Sequence, residues 1–197
     1  MKRNLIALLA LALAAPAFAT TATLSPESSK ISWLGKKVTG QHNGAIKLKS
    51  GKVELEGSEV KSGTIEVDMT SISNEDLKDA GYNAKLVGHL KSEDFFGTEK
   101  FPVATFAIKS VKKLAKPAAD GADHEVAGDL TIKGTTQAIS FPAHIVVKGG
   151  AATARATVKI DRTKFNIKYR SGKFFEGLGD KMIHDEFELN FDLSTKI

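Results

Sequence analysis

The stretch Glu186-Phe187-Glu188-Leu189-Asn190-Phe191-Asp192-Leu193-Ser194 decides the fold class. Phe187, Leu189, Phe191 and Leu193 fall on every second position, with polar or acidic residues between them. A period of two places all four on one face of a strand, so one face is buried and the other wet. Ala152, Ala154, Ala156, Val158 and Ile160 alternate in the same way with Thr153, Arg155, Thr157, Lys159 and Asp161. Ile65, Val67 and Met69, and Ile46 and Leu48, repeat the pattern, and further strand-like runs cover 29–38, 103–111, 126–132 and 138–147. Gly51, Gly57, Gly63, Gly134 and Gly149-Gly150 fall near the ends of these runs, where turns need a residue free to adopt positive φ. Eight or so strands of this length imply a closed barrel or a sandwich.

One segment departs from the pattern. Between Ser73 and Leu90, the residues Leu77, Ala80, Ala84, Val87 and Leu90 recur at three- and four-residue intervals. Ser73 is the expected N-cap, with Glu75 and Asp76 in the first turn and Glu75, Asp76 and Asp79 on a solvated helix face. Gly81 and Gly88 weaken that helix and suggest two short pieces. A lone helix among strands is expected to act as a lid or plug at one barrel end. The loop-like segment 116–122 is read as a hairpin loop between two strands.

The N-terminus carries Lys2 and Arg3, an apolar run from Leu5 to Ala15, and Ala17-Phe18-Ala19. This is the pattern of a secretory signal peptide, residues 1–19, and leaves 20–197 as one domain. Without Lys2 and Arg3, Lys and Arg fall from 28 to 26 against 23 acids, a net charge of +3. Basic and acidic residues are interspersed, which argues against nucleic-acid binding. The expected location is the periplasm of a Gram-negative-type bacterium, with secretion the alternative. The absence of cysteine in the sequence excludes a disulfide scaffold, a thiol nucleophile, a Cys-ligated metal and a Cys-anchored lipoprotein.

The five histidines, at 42, 89, 124, 144 and 184, show no local metal-binding spacing, although His42, His89 and His184 could meet at one barrel end. No G-x-S-x-G elbow or phosphate-binding glycine loop is present, so no enzyme chemistry and no cofactor is expected. Asp161-Arg162, closing an alternating strand, is read as a buried ion pair or an anion contact, with the structural role preferred. The phenylalanines are unusually placed: Phe95, Phe96, Phe174 and Phe175 lie in loop-like stretches, and Phe101, Phe106, Phe141 and Phe165 accompany Trp33 elsewhere. They are either core and barrel-end plugs or the lining of an apolar cavity.

Several blocks together carry a resemblance. They are Gly88-His89-Leu90-Lys91-Ser92-Glu93-Asp94-Phe95-Phe96, Phe101-Pro102-Val103-Ala104-Thr105-Phe106 and Gly128-Asp129-Leu130-Thr131-Ile132-Lys133-Gly134. Trp33-Leu34-Gly35-Lys36-Lys37 precedes them, and Asp161-Arg162-Thr163-Lys164-Phe165 and Gly179-Asp180-Lys181-Met182-Ile183 follow. In this order they resemble the YceI-like family of periplasmic polyisoprenoid-binding proteins, from about Ser29 to the C-terminus. The resemblance implies an all-β, extended lipocalin-like, eight-stranded antiparallel barrel with one helical insertion and a long internal tunnel. It implies a non-enzymatic carrier of an isoprenoid lipid, held as ligand rather than cofactor: a quinone tail or a polyprenyl chain. Trp33, Leu86, Leu90, Phe95, Phe96, Phe101, Phe106 and Phe141 are then the candidates for the tunnel lining, and His42, His89 and Arg162 for the polar head or the mouth. Transient exchange with an inner-membrane donor or acceptor follows, by a monomer or homodimer. The other reading is a stress or interaction protein whose barrel is filled by its own side chains.

Overall fold

The computed structural model describes residues 19–196; the expected signal peptide, residues 1–19, lies outside them except for Ala19. Nine strands are ordered along the chain: β1 Ala19–Thr23, β2 Lys30–Lys37, β3 Gly40–Glu56, β4 Glu59–Asp68, β5 Val103–Lys113, β6 His124–Ile132, β7 Thr135–Lys148, β8 Ala151–Asp161 and β9 Ile183–Ser194. All pairings are antiparallel and run β3-β2-β9-β8-β7-β6-β5-β4, with β4 returning to β3 to close an eight-stranded barrel. The ninth strand, β1, does not add a position. It pairs with Lys52–Glu56 of β3 on the side where β2 pairs with Gly40–Ile46, so β1 and β2 are one interrupted barrel strand.

The alternation read from the sequence holds within each straight segment and changes phase at bulges. On β3 the buried set is Gly44, Ile46 and Leu48, then Gly51, Val53 and Leu55, and the register shifts between Leu48 and Ser50. β5 does the same: Ala104, Phe106 and Ile108 are buried, and the inward residue beyond the shift between Ile108 and Ser110 is Val111. An extra residue bends the strand and increases its twist, which lets the sheet curl and close. Across the β8–β9 pair, small faces large: Ala156 opposes Phe191 and Ala154 opposes Leu193. The rings of β9 thus have room inside the barrel.

The connections differ sharply between the two ends. The lower end has the short turns β3–β4 and β7–β8 and the 114–123 loop, which contains the segment read as a hairpin loop. The upper end has the β2–β3 and β6–β7 turns together with two long connections, 69–102 and 162–182. The one α-helix among the described residues, α1 Ala80–Lys91, lies in the first of these.

That helix corrects two expectations. It starts at Ala80 with Asp79 as N-cap, whose side chain accepts from the Tyr82 N–H, and it runs unbroken through Gly81 and Gly88. Residues 73–79 are not helical, because β3 engages their backbone: Ser73 N–H donates to Ala45 O and Glu75 N–H to Asn43 O. Glu75, Asp76 and Asp79 therefore form no helix face. Gly44 permits this docking, since a Cβ there would stand 1.9 Å from Ser73 O.

Candidate functional site

The barrel interior holds two apolar cavities. The upper one, about 140 Å³, lies beneath the long connections. The lower one is about 50 Å³. Alternation along single strands distributes residues between them. On β9, Leu189 and Phe187 face the upper cavity while Phe191 and Leu193 face the lower; on β5, Ala104 is upper and Phe106 lower. Phe106, Phe141 and Phe191 are the aromatic members of the lower wall, with Phe106–Phe141 centroids 5.5 Å and Phe141–Phe191 centroids 5.8 Å apart. They stand one inward position below the upper cavity on β5 and β9 and form a ring partition across the barrel. Gly128 is part of that arrangement, because a Cβ there would lie 2.8 Å from Cζ of Phe106.

The upper lining comes from both strands and connections. Trp33 faces inward from β2 and donates its indole N–H to Ser73 O at 3.0 Å, which ties the ring to the segment that covers the barrel. Leu90 reaches the cavity from the last turn of α1. Ser92 ends that helix: its backbone N–H bonds Gly88 O and His89 O, and its hydroxyl donates to His89 O at 2.8 Å. The chain then folds back, with Phe96 N–H on Leu90 O and Gly97 N–H on Ser92 O, and Gly97 takes φ 54°. This tight reversal turns Phe95 and Phe96 inward. Phe96 meets Phe187 edge-on at 6.2 Å.

Arg162 is the buried charged residue in this apolar wall, 4% exposed. Its Nε donates to His184 O at 3.0 Å, Nη1 to Ile167 O at 2.8 Å and Nη2 to Ile183 O at 3.0 Å. A guanidinium carries five N–H donors, so two remain after these bonds. Burial pulls its pKa down, while the nearby Asp185 and Asp161 carboxylates hold it up, and it stays charged. Asp185 Oδ1, 3.7 Å from Nη2, is the buried side-chain oxygen without a hydrogen bond among the described residues. The expected Asp161–Arg162 ion pair does not form. Asp161 instead accepts from the Thr163 N–H and hydroxyl and from Lys173 Nζ at 3.0 Å, while Arg162 turns inward.

The other predicted residues separate clearly. Trp33, Leu90, Phe95, Phe96 and Arg162 line the upper cavity, and Phe106 and Phe141 the lower. Leu86 is half-buried on α1 and borders neither; Phe101 packs over Gly134 at the β6–β7 turn. His42 and His89 sit at the upper end but outside the lining. His89 stacks edge-on against Phe95 and Tyr169, at 4.9 and 4.7 Å, with Nε2 3.0 Å from Asp94.

His42 Nδ1 is 2.8 Å from Asp76 Oδ2, and Asp76 Oδ1 also accepts from Asn43 N–H at 2.9 Å and from the Asn74 amide at 2.5 Å. Burial pushes the Asp76 carboxyl up, but the Asn43 N–H, His42 and the Asn74 amide outweigh it and bring its pKa down to about 2. Among the described residues, no three His, Asp or Glu side chains are placed to hold a metal. The exposed residues on the upper lining, Lys36, His184 and Glu186, mark where the cavity reaches the surface, beside a register shift between β2 and β9. Phe187, Leu189 and Ile183 complete the wall. The alternation of β9 marks Phe187 and Leu189 as buried, and only the barrel's closure shows that they face a cavity.

A family model described as the YceI-like domain matches residues 23–195. The chain belongs to the YceI-like family. Its likeness to Protein YceI of Escherichia coli O17:K52:H18 is 40% identity over 86 residues, 41% of this chain and 42% of that protein. The UPF0312 protein of Shewanella denitrificans is 31% identical over 99 residues, 50% of this chain and 47% of that one. The chain thus aligns with less than half the length of these curated relatives. Among solved structures, BcnA of Burkholderia cenocepacia superposes with a TM-score of 0.65 at 24% identity, covering 88% of this chain and 99% of that one. A polyisoprenoid binding domain from Saccharophagus degradans gives 0.60 at 13% identity, covering 90% and 99%. At these identities the likeness shows the fold: this YceI-like chain has the closed eight-stranded barrel of those proteins.

Proposed function

We propose that this YceI-like protein is a non-enzymatic carrier of an isoprenoid lipid, a quinone tail or polyprenyl chain, in the periplasm. The observation that carries the reading is the upper cavity: an apolar interior walled by Trp33, Leu90, Phe95, Phe96 and Phe187, with one buried cation and an opening to the surface. Burying an alkyl chain there gains about 0.8 kcal/mol per CH₂ removed from water. An apolar cavity of about 150 Å³ accepts a benzene-sized molecule, so the upper cavity holds a ring or about one isoprene unit without rearrangement. A longer tail requires the Phe106–Phe141–Phe191 partition to turn aside and join the two cavities. The two free N–H groups of Arg162 are suited to a head-group oxygen. The neighbour from Saccharophagus degradans, described as a polyisoprenoid binding domain, supports the same cargo class. The leader-like N-terminus supports export, and an inner-membrane donor or acceptor would complete the route.

The small size of both cavities favours a second reading, a barrel filled by its own side chains that serves an interaction role. The test is to purify the exported protein from a Gram-negative host and record its native mass, then extract it with solvent. A mass excess lost on denaturation and recovered as an isoprenoid supports the carrier. A bare polypeptide that takes up no added quinone supports the self-filled barrel.

A further inference from the structure

The large exposed hydrophobic residues are unevenly placed. Val38, Tyr82, Phe174 and Phe175 all lie in connections or the helix at the upper end, and only Val146 lies on the barrel wall. Phe174 and Phe175 are 47% and 49% exposed at the tip of the β8–β9 connection. The base of that connection is pinned. Ile167 and Ser171 are fully buried, Ile167 O accepts from Arg162, and Ile183 N–H donates to Arg170 O. A pinned base that leaves about half of two adjacent rings in water presents an apolar patch of the kind that marks an interaction site.

The charge around the rings identifies it. Lys164, Lys168, Arg170 and Lys181 share this connection with only Glu176 and Asp180 as acids, while Lys173 is held by Asp161 and Asp185. Lys168 Nζ lies 4.7 Å above the Phe174 ring. The adjoining β2–β3 turn adds Lys37 and the exposed Val38, and Val38 N–H donates to Met182 O, which fastens the two segments together. The other upper connection, 69–102, has the opposite balance, with Glu75, Asp76, Asp79, Glu93, Asp94 and Glu99 against Lys78, Lys85, Lys91 and Lys100. Apolar rings ringed by Lys and Arg are suited to a headgroup layer, with the rings at the acyl boundary and the cations at phosphate.

We propose that the tip of the β8–β9 connection, with the β2–β3 turn, docks the barrel onto a bilayer rich in anionic phospholipid. This rests on the carrier reading for its purpose. Lys36 of the cavity lining stands two residues before Val38, and His184 two residues after Met182, whose carbonyl accepts from Val38 N–H, so docking sets the opening against the lipid from which a tail enters or leaves.

The test is flotation of the exported protein with phosphatidylglycerol–phosphatidylethanolamine vesicles and with phosphatidylcholine vesicles. Binding is expected on the anionic vesicles only and weakens with salt. F174S/F175S lowers it about tenfold with only a small drop in Tm, because about half of each ring is already in water. Lys168→Gln and Lys181→Gln each lower it roughly fivefold. A double variant that floats like the parent overturns the proposal, as does binding indifferent to anionic lipid. Absence of flotation, with self-association lost in F174S/F175S, overturns it in favour of an interface between copies.

Quenching of Trp33, the chain's one tryptophan, by a dissolved short-tailed quinone separates the two claims. Quenching without flotation rejects docking and leaves the carrier. Flotation that depends on Phe174 and Phe175 without quenching keeps docking and rejects the carrier.

Discussion

The two halves of the barrel are built from the same strands, yet they end differently. In the lower half, Phe106 and Phe141 pack within 5.5 Å, and 9% and 8% of their surfaces remain exposed. Its strands are joined by shorter connections, and Leu24 and Thr195 form a bridge beside β9. In the upper half the walls are equally apolar, but two long connections lie over the barrel and a buried arginine stands among them. The larger cavity lies there. Strand alternation therefore supplies an apolar interior everywhere, whereas the length and tethering of the connections decide where space is left within it.

Replacing Arg162 tests that contrast most severely. Arg162→Leu strands the carbonyls of Ile167, Ile183 and His184 together with Asp185, and is expected to cost about 5 kcal/mol in urea denaturation. Arg162→Lys restores only part of this, because a compact ammonium cannot span three carbonyls. Next comes Phe106→Ala, at about 3–5 kcal/mol, because its buried ring packs against Phe141 and over Gly128. Phe96→Ala, at the edge of open space, is expected to cost about 1–2 kcal/mol. Equal costs would remove the distinction between a packed half and a receptive half. The Phe106 variant should also take up longer prenyl tails, read by the mass of the extracted lipid.

Gly44→Ala tests the cover itself. The new Cβ collides with Ser73 O, and the displaced segment carries the acceptor for the Trp33 indole. The expected loss is about 2 kcal/mol, with a shift in Trp33 fluorescence.

The smallest effect is a pH dependence. Asp76 has a pKa of about 2 in the folded protein against a reference of 3.8. Folding therefore favours its charged form, so the contribution is complete above about pH 4 and disappears as pH falls toward 2. At most about 2 kcal/mol is involved. Asp76→Asn should flatten thermal stability between pH 4 and 2 relative to the parent; an unchanged acid limb would contradict the role of this carboxylate in holding 73–79 against β3.

The fold was largely legible. Phe187 to Leu193 and Ala152 to Ile160 carry an alternation that no helix can use, and β8 and β9 stand where it places them. The phase changes at the β3 and β5 bulges were not legible, since an extra residue resembles noise in a period of two. β1 is not legible, because Ala19–Thr23 is short and pairs with Lys52–Glu56, about thirty residues further along the chain. The helix start was misread for a related reason: Ser73 is a good capping residue, but β3 had already claimed its N–H.

The candidate site was legible in composition more than in position. The rings of the Ser92–Gly97 turn, Trp33 and Leu90 line the upper cavity, whereas Leu86 and Phe101, equally apolar, lie outside it. Arg162 could be named from the sequence, but its three carbonyl partners come from two separate segments. Local order along the chain, set by side-chain period and turn chemistry, is enough to determine an antiparallel barrel of the YceI-like family. Which apolar residues meet, how much space they leave and which charge is buried among them depend on contacts between residues far apart in the chain. Only closure of the barrel brings those together.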